Sequence, residues 1–318
     1  MSGDPAAPTL GVDVGGTNLR VGVVDAEGRL VAEARAPCPT TGWAAVVEGI
    51  AELTRKLLAT HGGTALGVGV AALVDRDGAT HYAPNIPGME GAPFRAALVE
   101  ALGIPVVVDN DANAAAWGEA VHGAARGVDD ALVVTLGTGV GGGIIAGGRV
   151  YRGAHGFAAE IGHWQFARDG AQCACGEWGH WEACASGNAL GRLGREAAAA
   201  GRAPEVLARA GGDPACVTGL DVTNAAQAGD PAALDLLEAW ATDIALGFAG
   251  LVNILDPALI VVSGGLVELG DLLLDPLRRA FADRIEGAAH RPAVPIVPAM
   301  LGELAGVVGA AALARELA

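Results

Sequence analysis

A chain of 318 residues with 52% hydrophobic composition can bury a core sufficient for about two domains. Its 49 glycines and 4% aromatics point to close helix–sheet packing and tight turns. The net charge of −16 speaks against nucleic acid or an anionic membrane surface as a partner.

One lysine, Lys56, lies in a helix-like run and not behind a glycine loop, which excludes a Walker-type phosphate site. The opening MSGDPAAPTL carries no basic or apolar leader. The most apolar stretch, residues 244–255, is about half of what a bilayer span needs. Five cysteines are too sparse for a disulfide scaffold. These features lead us to expect a soluble cytoplasmic protein.

TLGVDVG, LRVGVVD and RLVAEARA read as three strands joined by turns at GTN and AEG. A helix follows from Trp43 to Thr60, then LGVGVAALVD as one buried strand and PFRAALVEALG as a short helix closed by glycine. IPVVVDND is a nearly all-apolar strand of the kind found in parallel sheets, and it runs into the alanine-rich helix ANAAAWGEAVHG. The opening pattern then returns in ALVVTLGTGVGGGIIAGGRVY, a loose echo of residues 9–36. Such a repeat suggests two related α/β domains facing one cleft. PAALDLLEAWATDIALGFAGLVNIL is a long buried helix stopped by Pro257, PALIVVSGG a strand with a glycine turn, and ELAGVVGAAALAREL a last helix.

Four stretches carry chemistry. In DVGGTN, Gly15 and Gly16 can turn backbone N–H groups into a phosphate-binding concavity, although Gly-Gly also serves ordinary hairpins. Asp13 ends an apolar strand, where a carboxylate is costly without a metal or a donor. GTGVGGG formally contains G-x-G-x-x-G, but it runs into a hairpin where a dinucleotide loop would open a helix. It is therefore expected as a second phosphate turn, with Thr138 supplying a hydroxyl. DNDAN, residues 109–113, sits where a strand ends and a helix starts, the ligand-binding edge of α/β sheets. One of these side chains serves as a cap, and three exceed what a cap needs. An Asp there should stay ionised and suits the acceptance of a hydroxyl proton during phosphoryl transfer.

The fourth stretch holds Glu160 and His163, three apart and on one face if helical, followed by Cys173, Cys175 and His180. The last four form a candidate tetrahedral Cys₂His₂ zinc site. The Cys-x-Cys bite is narrower than the usual spacing, so free thiols remain the alternative. Glu182, beside Trp181, is either a further polar ligand group or a surface glutamate.

These motifs, in this order, resemble the ROK family (repressors, open reading frames and sugar kinases), and within it the bacterial glucokinases. The resemblance runs from LGVDVGGTNLRVGVVD through NIPGM, DNDANAAAWGE, GTGVGGG, GAHGFAAEIGHW, CACGEWGHWE and ASGNALG to NILDPALIVVSGG. It implies an α/β, actin-like (ribonuclease-H-like) duplicated fold. Residues 1–115 with 303–318 would form a smaller domain, and residues 116–302 a larger one with the zinc loop. It also implies ATP-dependent phosphorylation of a hexose, with Asp111 as catalytic base and Gly88, Asn110, Asp111, Glu160, His163 and Glu182 at the sugar. ATP would lie on Gly15, Gly16, Thr17 and Asn18, on Thr138 and Gly139, and on an adenosine-side turn at Gly264 and Gly265. Asp13 would position Mg²⁺, and structural Zn²⁺ would sit on His163, Cys173, Cys175 and His180. His163 would face the sugar with its other ring nitrogen.

Three positions depart from the family pattern. His180 stands where a third cysteine is usual, Ala159 replaces a glycine, and Ser263 replaces the first glycine of the adenosine-side turn. The expected reaction is glucose and ATP to glucose 6-phosphate. N-acetylmannosamine, fructose, mannose or allose are alternative acceptors, and polyphosphate an alternative donor. A sugar-responsive repressor is disfavoured, because only ten residues precede Gly11 and the charge is acidic. A homodimer or homotetramer is implied by the resemblance alone.

Overall fold

The computed structural model describes residues 7–84, 86–282 and 284–317; Asn85 of the NIPGM segment and both chain ends of the expected smaller domain lie outside the described residues. Two compact units result. Unit 1 holds the chain up to Val133, Gly142–Ala159 and the chain from Ala299 on; unit 2 holds Val134–Gly141 and Glu160–Pro298.

Unit 1 begins with β1 (Thr9–Val14), β2 (Asn18–Val24) and β3 (Leu30–Pro37), then α1 (Trp43–His61) and β4 (Leu66–Val70). A small hairpin of β5 (Leu73–Val74) and β6 (Thr80–Tyr82) precedes α2 (Phe94–Leu102), β7 (Val106–Asn110) and α3 (Asp111–His122). LGVGVAALVD, expected as one strand, is thus two. Ala71 N–H donates to Val14 O at 3.2 Å and Ala72 N–H to Val70 O at 2.7 Å, a tight turn that ends β4. The main sheet has the order β3-β2-β1-β4-β7. Its first three strands are antiparallel neighbours, while β1, β4 and β7 run parallel. Leu10, Val12, Leu66 and Val68 are fully buried, as continuous apolar runs in a covered sheet require.

The second sheet, β10-β9-β8-β11-β12, repeats that order. Its strands are β8 (Ala131–Leu136), β9 (Val140–Ala146), β10 (Arg149–Val150), β11 (Leu259–Ser263) and β12 (Ile296–Pro298), with β8 and β9 contributing residues to both units. Unit 2 adds α4 (Glu182–Ala185), α5 (Gly187–Ala199), α6 (Pro204–Arg209), α7 (Gly219–Gln227), α8 (Pro231–Leu255) and α9 (Asp271–Ala282). Helix α10 (Ala305–Arg315) returns to unit 1.

Small residues decide the packing of α10. A Cβ at Gly11 would overlap Val307 O, one at Gly67 would overlap Ala310 O, and one at Gly309 would overlap Ala114 O. Backbone therefore lies directly on backbone. Helix α3 runs through residue 115 unbroken and meets α10 at Gly118 and Gly309. Glu119, fully buried, fastens the same corner by accepting N–H bonds from Ala124 (2.7 Å), Met300 (3.1 Å) and Leu301 (2.8 Å).

Helix ends follow the sequence cues. Asp230 caps α8 through Ala233 N–H at 3.2 Å with Pro231 in its first turn, and Thr218 and Asp221 form a capping box on α7. With 25 residues, α8 is long and apolar enough to cross a membrane by length and composition, but its face from Leu237 through Trp240, Ile244 and Phe248 is buried inside the protein.

Candidate active site and metal cluster

In unit 1 the three parallel strands end at one level, with Val14, Val70 and Asn110 in register. Asp13 lies one residue back from that edge. Beyond it, Gly15 N–H donates to Asn18 O at 3.1 Å and Cys38 N–H to Thr17 O at 2.8 Å, which fixes the DVGGTN turn and leaves Gly16, Thr17 and Asn18 exposed.

The three polar side chains at the start of α3 take different jobs. Asn110 is the cap: its Oδ1 accepts N–H bonds from Ala112 at 2.9 Å and Asn113 at 3.1 Å. Asp109, buried, has both oxygens occupied. Its Oδ1 accepts from Asn110 N–H (2.8 Å) and Asn113 Nδ2 (2.9 Å), and its Oδ2 pairs with Arg152 Nε (2.6 Å). Asp111 Oδ1 accepts the Ala112 N–H at 2.9 Å, and its Oδ2 has no protein donor among the described residues. Gly69 makes room, since a Cβ there would stand 3.3 Å from Asp111 Cα. Of the two carboxylates, Asp111 alone is available to a substrate hydroxyl.

The helix start was expected to hold an Asp here ionised. Burial raises the Asp111 pKa above the ordinary carboxylate value, while the Ala112 N–H and its own N–H act in the expected direction and favour the ionised form. A raised pKa makes the ionised form a stronger proton acceptor. Asp13 is pushed up to about 6, first by burial and then by the charge of Asp111, with Arg20 opposing. Arg20 stands opposite Asp13 in register and pairs with Glu33 at 2.7 Å. In the first turn of α10, a Cβ at Gly306 would reach within 3.1 Å of Asp13 Cγ, so glycine lets the helix start approach this carboxylate. Gly88, with φ 73°, accepts the Trp43 N–H at 3.3 Å and is exposed.

In unit 2 the GTG turn is tied at both ends. Gly137 N–H donates to Gly139 O at 3.0 Å, Gly187 N–H to Gly137 O at 2.8 Å, and Val140 N–H to Glu182 Oε2 at 2.9 Å; Thr138 is exposed. Gly264, at φ 90°, lies against the Leu136 backbone where a Cβ would overlap, and it opens the turn that contains Gly265. Glu160 and His163 lie on a single 3₁₀ turn and not on an α-helix, with His163 N–H donating to Glu160 O at 3.0 Å. A spacing of three still eclipses side chains in that geometry.

Residues 164–181 fold back on themselves. Phe166 N–H and Ala167 N–H both donate to Gly179 O, at 2.8 and 2.9 Å, and Trp181 N–H donates to Trp164 O at 3.2 Å. Trp181, fully buried, anchors the loop through its Nε1–H to Asp243 O at 3.1 Å. From this frame His163, Cys173, Cys175 and His180 converge, with one ligand atom of each lying within 4.8 Å of all the others. Cys173 Sγ is 3.7 Å from His163 Nδ1, and Cys175 Sγ is 3.2 Å from His180 Nδ1. Tetrahedral zinc, with bonds of about 2.0–2.3 Å, places its ligand atoms about 3.3–3.8 Å apart; the Cys173–His163 pair falls in that range, and the wider pairs, up to 4.8 Å, would have to close on an ion. Burial and then the neighbouring Glu182 push the Cys173 thiol up to about 12. A metal ion bound there would act in the opposite sense and favour the thiolate.

Spacing alone did not reveal Arg152, Arg20 or Gly69. Each acts through a neighbour distant in sequence, and no local motif marks it.

The ROK family model matches residues 9–317. The chain belongs to the ROK family. Its two sheets of repeated strand order are the duplicated α/β, actin-like fold that the resemblance implied. A glucokinase of Streptomyces coelicolor is 42% identical over 311 residues, covering 97% of this chain and 98% of that one. The crystal structure of a ROK family glucokinase from Streptomyces griseus, in complex with glucose and AMPPNP, matches with a TM-score of 0.85 at 40% identity, covering 98% and 100%. A ROK hexokinase from Thermus thermophilus matches with a TM-score of 0.80 at 36% identity, covering 98% of each chain. The glycine turns and the DNDAN corner described above lie within the matched region of this ROK chain.

Proposed function

We propose that the chain is an ATP-dependent glucokinase that phosphorylates the 6-hydroxyl of glucose. One observation carries the reading: full-length similarity to a glucokinase crystallised with glucose and an ATP analogue, in a chain whose Asp111 presents an unoccupied carboxylate oxygen at a sheet edge.

In this reading Asp111 orients the attacking hydroxyl and takes its proton, and Asn110 fixes Asp111 by capping α3. The candidate sugar ligands are Asn110 and the turn at Gly88 in unit 1, and Glu160, His163 and Glu182 in unit 2. The turns at Gly15–Asn18 and at Thr138–Gly139 receive phosphates through backbone N–H groups and hydroxyls, and Gly264 and Gly265 border the adenosine. Magnesium, placed by Asp13, would supply charge neutralisation at the phosphates, for which the chain has no lysine nearby. Zinc on His163, Cys173, Cys175 and His180 would brace the loop that presents His163 and Glu182. His180 in place of a thiolate leaves that centre neutral.

A panel of glucose, mannose, fructose, allose and N-acetylmannosamine, each offered with ATP–Mg²⁺ and with polyphosphate, tests the reading. Sugar-phosphate formation fastest with glucose and ATP supports it. Turnover of another hexose with a higher kcat/KM reassigns the acceptor, and failure with every sugar rejects the kinase.

A further inference from the structure

Asp109 and Arg152 are 43 residues apart, yet Arg152 Nε meets Asp109 Oδ2 at 2.6 Å, with the carboxylate side chain only 5% exposed. The same carboxylate holds the Asn110 N–H and the Asn113 amide, the two groups that frame Asp111 in the chain. Arg152 in turn opens the segment 151–159, which leads directly into Glu160. That segment is fastened along its length. Tyr151 N–H donates to Ile144 O at 2.8 Å, and Ala158 N–H closes on Arg152 O at 3.2 Å. Arg76 Nε reaches Gly153 O at 3.2 Å, and the Phe157 ring meets His81 edge-on with centroids 5.4 Å apart. His81 is itself held by Asp75 at 2.7 Å.

We infer that Asp109 and Arg152 are positioning residues for Asp111: their ion pair locks the corner bearing Asn110 and Asp111 to segment 151–159 of the same unit. The inference rests on the kinase reading above. Neither side chain need touch substrate. Asp109 is neutralised by the guanidinium, which leaves Asp111 as the carboxylate free to take the hydroxyl proton. The planar fork of arginine also fixes a direction that a lysine ammonium cannot.

The test measures steady-state kinetics of wild type, Arg152→Lys, Asp109→Asn and the double variant Asp109→Asn/Arg152→Met, with melting temperatures alongside. The double variant guards against misfolding, because it leaves no unpaired buried charge. The pair predicts that Arg152→Lys raises the glucose KM and lowers kcat, each by about tenfold, while the ATP KM stays within about twofold. It also predicts that the double variant is no worse than the poorer single variant, since both break one unit. An active wild type whose Arg152→Lys and double variants keep glucose KM and kcat within about twofold overturns the assignment, as does a fall in melting temperature with no change in glucose KM. A wild type inert toward every hexose overturns the kinase reading, and this inference with it.

Discussion

Glu182 Oε2 accepts the Val140 N–H at 2.9 Å, which fastens the first residue of α4 to the GTG turn. Its other oxygen, Oε1, lies 3.2 Å from Cys173 Sγ. One carboxylate thus links a candidate zinc ligand to a candidate phosphate turn within unit 2.

Gly139 is the position where that link can be disturbed without removing a functional group. A Cβ there would overlap the Glu182 carboxylate, the mobile end of a side chain, so the fold can adapt while Glu182 swings away. Gly139→Ala should leave the melting temperature within about 2 °C. It should lower kcat/KM for glucose by about tenfold or more. Kinetics and a thermal scan on the same preparation check this.

The metal cluster predicts one zinc ion per chain by elemental analysis. Cys175→Ser should lose it, and His180→Cys should retain it, since thiolate and imidazole both serve zinc. Prolonged chelation should raise the sugar KM before it affects the ATP KM, because the ligand Cys173 lies 3.2 Å from Glu182 Oε1. A metal-free preparation with full activity would contradict the assignment.

Asp13 gives a prediction with a definite sign. Its folded pKa of about 6 lies above the ordinary 3.8, so the fold favours the protonated form. That contribution is fully present below about 4 and is lost as pH rises through about 6. At pH 7 the ionised, buried carboxylate therefore costs up to about 3 kcal/mol. Asp13→Asn should be more stable than wild type at pH 7, by denaturant unfolding, and the gap should narrow toward pH 4. Activity should fall in the same variant. Wild-type kcat/KM should fall on the acid side near pH 6, and more magnesium should move that limb to lower pH, because the cation competes with the proton.

Ala159 has φ 73°, a left-handed conformation that costs a residue with a Cβ about 1 kcal/mol or more. Ala159→Gly should therefore raise stability by about that amount, read from unfolding in denaturant. Equal or lower stability would show that the conformation carries no strain.

The sequence was most informative where local chemistry decides structure. Nearly all-apolar runs such as IPVVVDND read as parallel-sheet strands, and Asn110 follows the helix-cap preference in its side-chain bonds. The repeat of residues 9–36 in residues 131–151 appeared as two sheets of the same strand order. Long-range partners were not legible. Nothing near Arg152 announces a partner 43 residues earlier, and nothing in AALVD reveals that the Ala71 and Ala72 bonds break the strand. The 3₁₀ turn at Ile161–His163 escaped for a similar reason, since a spacing of three fits either helix. The upward push on the Asp111 pKa was not legible either, because the burial that causes it comes from segments distant in the chain.

In this mechanism Asp111 accepts the proton of the sugar hydroxyl. Asp111→Asn keeps the shape and removes the base, so steady-state kinetics with glucose and ATP–Mg²⁺ test the claim most directly. In that variant kcat should fall by about 10²-fold or more while the glucose KM stays within a few-fold. A variant that turns over glucose at a near wild-type rate would contradict it.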